Sequence, residues 1–188
     1  MSDLKELLQR VVPALQRANV PFMIAGTFAS AAHGLPRATQ DVDIVIDPTA
    51  EGLDALLALL PSDSYYVDAD VAREALRTRG MFNVIDHATG WKIDLILRRN
   101  RAFSREEFGR RIAVSLLDVD VFMASAEDTI LAKLEWSKAS GGSERQRRDI
   151  AGIIATLGES LDRAYLAHWL RELDVEAEWA LAQQTPIS

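Results

Sequence analysis

Asp41 and Asp43 stand two residues apart in Asp41-Val42-Asp43-Ile44-Val45-Ile46, a run rich in β-branched residues. A strand sends alternate side chains to opposite faces, so both carboxylates point one way and Val42 and Ile44 the other. Like charges side by side raise each other's cost of ionisation, and a hard divalent cation such as Mg²⁺ removes that conflict. The other use of such a pair is the solvated acidic face of an edge strand. Upstream, Gly26 follows the apolar run Phe22-Met23-Ile24-Ala25 and precedes the small-residue stretch Thr27 to Ala32, which reads as a helix. The N–H groups and dipole of a helix start attract anions, and the Thr27 hydroxyl either adds a donor or caps the helix.

Gly26-Thr27, then His33-Gly34-Leu35-Pro36-Arg37-Ala38-Thr39-Gln40-Asp41-Val42-Asp43, resembles the signature of the polymerase-β-like nucleotidyltransferase superfamily. The closer likeness is to its small bacterial branch, which includes the nucleotidyltransferase toxins of abortive-infection and toxin-antitoxin systems. The resemblance implies that Asp41 and Asp43 bind metal, that a third carboxylate comes from a later strand, and that the Gly26-Thr27 turn holds the nucleotide's phosphates. Thr27 departs from the Gly or Ser usual there, keeping serine's hydroxyl and adding a methyl.

For the third carboxylate, Trp91-Lys92-Ile93-Asp94-Leu95-Ile96-Leu97 reads as a strand in which Asp94 interrupts an apolar run. A charge there is costly unless paired or metal-bound. Met81 to Asp86 and the turn His87-Ala88-Thr89-Gly90 make this strand the second arm of a hairpin. Asp86 is the competing candidate, but aspartate at the mouth of a turn is common for local hydrogen-bonding reasons, which favours Asp94. Arg37 and Thr39 lie close enough to the aspartates to brace the loop or touch substrate, and Arg37 suits either a phosphate or one of the aspartates. Ala124 to Leu134 matches a family helix whose lysine, here Lys133, faces the triphosphate; the alternative is a lysine snorkelling from a core helix. The family often shows an arginine-rich segment ending in Asp, here Asp149, that positions this lysine helix or touches substrate.

Composition narrows the chemistry. The chain has 188 residues, 48% of them hydrophobic, enough to bury a core in one domain or in one domain plus a helical appendage. It has no cysteine, which excludes disulfides, thiolate catalysis and Cys-ligated zinc. Its histidines, His33, His87 and His168, are too scattered for a zinc box, so Mg²⁺ or Mn²⁺ is the expected metal. No apolar run reaches the roughly 18 residues of a membrane span, and the N-terminus does not read as a signal peptide; a cytoplasmic setting is expected. The net charge of −7 argues against a general nucleic-acid binder. Arg98, Arg99, Arg101 and Arg105, the pair Arg110-Arg111, and Arg145, Arg147 and Arg148 are local basic groups that either steer a nucleotide or RNA or form a solvated surface.

Apolar periodicity predicts helices over 3–17, 49–60 and 71–79, extended runs at 111–116 and 119–123, and helices from 125 onward, broken at Ser140-Gly141-Gly142-Ser143. The expected architecture is α/β (α+β): a mixed sheet of about five strands with flanking helices over 1–124, then a helical segment over 125–188. Trp169 and Trp179 in that segment read as core or as a homodimer contact.

The resemblance implies transfer of a nucleoside monophosphate from an NTP such as ATP to an acceptor hydroxyl, with release of pyrophosphate. Asp41, Asp43 and Asp94 hold the metals, Gly26 and Thr27 the phosphates, and Lys133 neutralises the pyrophosphate. The acceptor is tRNA, protein or a small molecule, and a toxin would have a cognate antitoxin as partner. The rival reading is a non-catalytic module that binds a nucleotide or a partner protein.

Overall fold

The computed structural model describes residues 2–187. Helix α1 (Ser2–Arg17) leads into β1 (Phe22–Ile24), α2 (Gly26–His33), β2 (Asp41–Ile46), α3 (Ala50–Ala58), β3 (Tyr65–Val67) and α4 (Ala69–Thr78). Then come β4 (Met81–Asp86), β5 (Lys92–Leu97), α5 (Ala102–Gly109), β6 (Ile112–Leu116) and β7 (Val119–Met123). The remainder is helical: α6 (Ala126–Ala139), α7 (Glu144–Leu157), a 3-10 turn at Gly158–Ser160, α8 (Arg163–Glu172) and α9 (Glu176–Gln183).

Helix starts follow the cap chemistry written in the chain. Thr49 caps α3 by accepting from Gly52 N at 3.1 Å. At α6, Asp128 N donates to Ser125 Oγ, which donates in turn to the Asp128 carboxylate at 2.7 Å.

By its internal contacts the chain forms two units. One comprises the chain up to Ala25 together with Thr39–Met123; the other comprises Gly26–Ala38 together with the chain from Ala124 onward. The first unit holds the sheet, in the order β3-β4-β5-β2-β1-β7-β6. Strands β2 and β5 run parallel, as do β1 and β7, while the other neighbours are antiparallel. Leu7, Leu8, Val11 and Leu15 of α1 are buried, as the helical period of its apolar residues requires. Val42, Ile44 and Ile46 of β2 and Ile93, Leu95 and Leu97 of β5 are likewise buried.

The described sheet has seven strands rather than the expected five or so. Tyr65–Val67 is too short to show alternation and is specified by its partner, pairing from Tyr65↔Asp86 to Val67↔Val84. Helix α5 was also hidden, inside a basic stretch whose apolar positions Phe103 and Phe108 are buried.

In the second unit, α2 packs with α6 and α7, and α8 and α9 pack on α6. Gly34, just past α2, is set by a close approach: a Cβ there would lie 2.7 Å from Ile153 N and 2.9 Å from Gly152 C on α7. His33 meets the Ala124 carbonyl through Nε2 at 2.8 Å. The His33-Gly34 pair of the motif thus anchors its loop by packing and hydrogen bonding.

Candidate active site

The alternation of β2 and β5 places the acids. Asp43 and Asp94 are direct partners across the parallel pair, and Asp41 is the partner of Lys92. These four residues share the face opposite the buried aliphatics. On the other side of β5, Asn83 of β4 is the direct partner of Asp94, and its amide donates to Asp94 Oδ1. Lys92 Nζ lies 3.2 Å from Asp94 Oδ2 and 3.6 Å from Asp41 Oδ1. Burial alone would lower the Lys92 ammonium's pKa. The hydrogen bond to Asp94 and the charges of Asp94 and Asp41 outweigh it and hold the group above its ordinary value.

The backbone around these acids is braced locally. Asp41 N donates to Thr39 Oγ1 at 3.2 Å, and the same hydroxyl donates to the Asp41 carbonyl at 3.3 Å. Ala25 N donates to the Asp43 carbonyl at 2.9 Å. Gly26, next in the chain, has φ +59°, a left-handed conformation that favours glycine.

Asp86 is placed differently. Its side chain is 1% exposed and accepts from Arg10 Nη2 at 2.8 Å, from Thr89 Oγ1 at 2.5 Å and from Thr89 N at 3.1 Å. It points to the opposite side of β4 from Asn83, closes the turn through Thr89 and pairs with Arg10 of α1. Two surface clefts, of about 380 and 450 Å³, border Arg10 rather than the Asp41–Asp43–Asp94 face.

The second unit carries a polar cluster of its own. Asp149 accepts from Arg37 Nε at 3.3 Å through Oδ1 and from Lys133 Nζ at 2.8 Å through Oδ2. Lys133 also donates to Gln146 at 2.9 Å. Arg37 donates through Nη2 to Thr27 Oγ1 at 2.5 Å. The cluster brings together Thr27, Arg37 and Lys133 around Asp149, the acid that receives Arg37. Gln146 carries no sequence signal of its own; it lies one helical turn before Asp149, with which it shares the Lys133 ammonium. Lys92 and Asn83 carry only the signal of alternation, Lys92 lying two residues before Asp94 on the same face.

The basic stretch after β5 is largely engaged internally. Arg98 and Arg79 both donate to Asp47 at 2.8 Å, and the guanidinium of Arg111 stacks over Phe108 at 4.5 Å and Phe122 at 5.0 Å.

Among the described residues, no three acidic or histidine side chains already gather around a common point as metal ligands; Asp41 and Asp94 turn instead to Lys92. The donor set nevertheless suits a hard cation. It is three carboxylates without sulfur or imidazole, and two of them lie opposite one another on strands about 4.8 Å apart.

No protein-family model and no curated protein matches the chain. Solved structures do. ANT(2")-Ia, in complex with adenylyl-2"-tobramycin, superposes with TM-score 0.59 at 15% identity, covering 90% of this chain and 98% of its own. An antigenic nucleotidyltransferase-like protein from Paracoccidioides brasiliensis gives TM-score 0.54 at 18% identity, covering 100% and 95%. The lincosamide antibiotic adenylyltransferase LnuA, with lincomycin bound, gives 0.53 at 12%, covering 78% and 93%. No helix among the described residues is long and apolar enough to cross a membrane. The chain therefore has the nucleotidyltransferase fold, in agreement with the resemblance carried by Gly26-Thr27 and Asp41-Val42-Asp43.

Proposed function

We propose that the protein is a metal-dependent nucleotidyltransferase that moves a nucleoside monophosphate from an NTP to an acceptor hydroxyl. The observation that carries this reading is the register of β2 and β5, which sets Asp43 opposite Asp94 on one face with Asp41, within a nucleotidyltransferase fold. Asp41, Asp43 and Asp94 would hold Mg²⁺ or Mn²⁺, which when bound lowers the acceptor's pKa and offsets the triphosphate's charge. The acceptor oxygen forms a bond to the α-phosphorus as the bond to pyrophosphate breaks. The Gly26 backbone and the Thr27 hydroxyl bind phosphate oxygens. Lys133, oriented by Asp149, offsets the charge that develops on the leaving pyrophosphate. Thr39 holds the Asp41 backbone in place, and Arg37 orients Thr27 and Asp149.

For the acceptor, we favour a small hydroxyl-bearing molecule in a cytoplasmic setting. The net charge of −7 and the internal engagement of Arg98 and Arg111 disfavour a polyanion. Two of the structures it resembles hold antibiotic ligands, adenylyl-2"-tobramycin in one and lincomycin in the other. The test is incubation with α-labelled NTPs and Mg²⁺ beside a panel of aminoglycosides and lincosamides, total tRNA, and cell protein. Label on a small molecule supports this reading. Label on tRNA or protein replaces it with the toxin reading, for which a cognate antitoxin is then sought. Nucleotide binding without transfer to any acceptor leaves a non-catalytic module. A homodimer through Trp169 or Trp179 is a separate proposal, read from the mass in solution.

A further inference from the structure

We propose that Lys92 is a built-in counter-cation of the carboxylate site, which a divalent cation must displace from Asp94 and Asp41 in order to bind. The inference rests on the reading of Asp41, Asp43 and Asp94 as metal ligands.

Both oxygens of Asp94 already accept hydrogen bonds, Oδ1 from the Asn83 amide and Oδ2 from Lys92 Nζ. Each oxygen keeps a second lone pair, so it is the charge beside Asp94 and Asp41, the Lys92 ammonium, that competes with a metal for the same position, and the two donors differ in how firmly they are held. Asn83 projects from the strand position directly opposite Asp94, and its short side chain has little freedom to leave. Lys92 carries its charge on a flexible four-carbon stem that is 38% exposed, so its ammonium can swing into water with its own hydration restored. Lys92 is the donor that yields.

An ammonium 3.2 Å from Asp94 and 3.6 Å from Asp41 sits between two like charges and offsets their repulsion. Binding of Mg²⁺ or Mn²⁺ is thus a cation exchange: two carboxylate–ammonium contacts break and carboxylate–metal bonds form. Lys92 acts as a positioning residue, holding Asp41 and Asp94 in place through its ammonium while lowering their affinity for the metal.

Mn²⁺ titration of the full chain, followed by electron paramagnetic resonance, tests this in wild type, Lys92→Met, Lys92→Gln and Lys92→Arg. Removing the charge in Lys92→Met or Lys92→Gln should tighten Mn²⁺ binding on the order of tenfold, whereas Lys92→Arg stays near wild type. Mn²⁺ binding that appears only in the two neutral variants supports the proposal equally. Unchanged or weaker affinity in a folded neutral variant, beside measurable binding in wild type that is lost in Asp43→Asn, overturns it and leaves the metal-site reading standing. Absence of Mn²⁺ binding from all four proteins, or binding that survives Asp43→Asn, removes the metal site and this inference together. Lys92→Gln, closer to lysine in polarity, carries the comparison if Lys92→Met does not fold.

Discussion

Lys133 Nζ lies 2.8 Å from Asp149 Oδ2, and each of the two side chains is less than a tenth exposed. Breaking a buried pair by removing one partner costs about 3–5 kcal/mol, because the other charge is left without its counterpart. The two truncations are not equivalent here, since Asp149 also receives Arg37. Asp149→Ala takes the shared carboxylate from two cations and should fall in that range. Lys133→Met keeps most of the apolar stem and leaves Asp149 paired with Arg37, so its loss in urea unfolding should be clearly smaller. Equal losses would show that Arg37 does not share the charge. On its proposed role at the triphosphate, Lys133→Met also weakens NTP binding by about 1.5–3 kcal/mol, measured by calorimetry.

On the proposed metal site, a divalent cation held by Asp41, Asp43 and Asp94 should stabilise the folded chain by about 2.7 kcal/mol at 100 times its dissociation constant. For a chain of this size that corresponds to a rise of about 5–10 °C in melting temperature. Asp43→Asn should abolish the rise. A wild-type melting temperature indifferent to Mg²⁺ and Mn²⁺ would count against the site.

Two glycines that meet across one helix contact should respond unequally to alanine. At Gly34 the added methyl carbon encounters backbone atoms of α7 at 2.7 and 2.9 Å, which cannot rotate away. Gly34→Ala should therefore cost about 1–3 kcal/mol, the usual range for overpacking. At Gly152 the nearest atoms, all of Leu35, stand 3.3 Å away or farther, and alanine is the better helix former by about 1 kcal/mol. Gly152→Ala should come out near neutral. Melting curves of the two variants decide it, and a reversed order would contradict the packing described.

The parts of the fold visible in the sequence are those fixed by local periodicity. The Asp41–Ile46 and Lys92–Leu97 alternations set faces, and the break at Ser140-Gly141-Gly142-Ser143 separates α6 from α7. What stayed hidden depends on contacts distant in the chain. Tyr65–Val67 becomes a strand because β4 offers it an edge, and α2 belongs with α6 and α7 although more than ninety residues separate them. The role of Asp149 is intermediate: the motif marked the position, but only the fold reveals that one carboxylate serves both Arg37 and Lys133. Lys92 is hard to read from sequence because lysine at a strand start reads as solubility, and the two acids it meets stand on different strands.

The Asp174 carboxyl is held below its ordinary value of 3.8 by a hydrogen bond from Lys138 Nζ at 2.6 Å and by that ammonium's charge. A carboxyl whose pKa is lower folded than unfolded adds stability above its unfolded value, and the contribution is lost as the pH falls through the folded one. The stability difference between wild type and Asp174→Asn should thus be constant near neutrality and shrink as the pH drops below about 4. Asp174 is exposed, so the difference will be small and reduced further by salt. A gap that stays constant down to pH 2.5 would contradict the pairing.

The parallel register of β2 and β5 makes the acidic face a matter of parity. Inserting or deleting one residue between Gly90 and Asp94 would exchange every side chain of β5, sending Asp94 into the aliphatic layer and Ile93 or Leu95 outward. A shift of two would keep an acid outside and merely move it along the strand. The position of the third carboxylate is therefore quantised in steps of two residues. In a distant sequence it is better recognised by an even spacing from an outward-facing lysine, and an odd one from the buried aliphatics, than by any single matched residue.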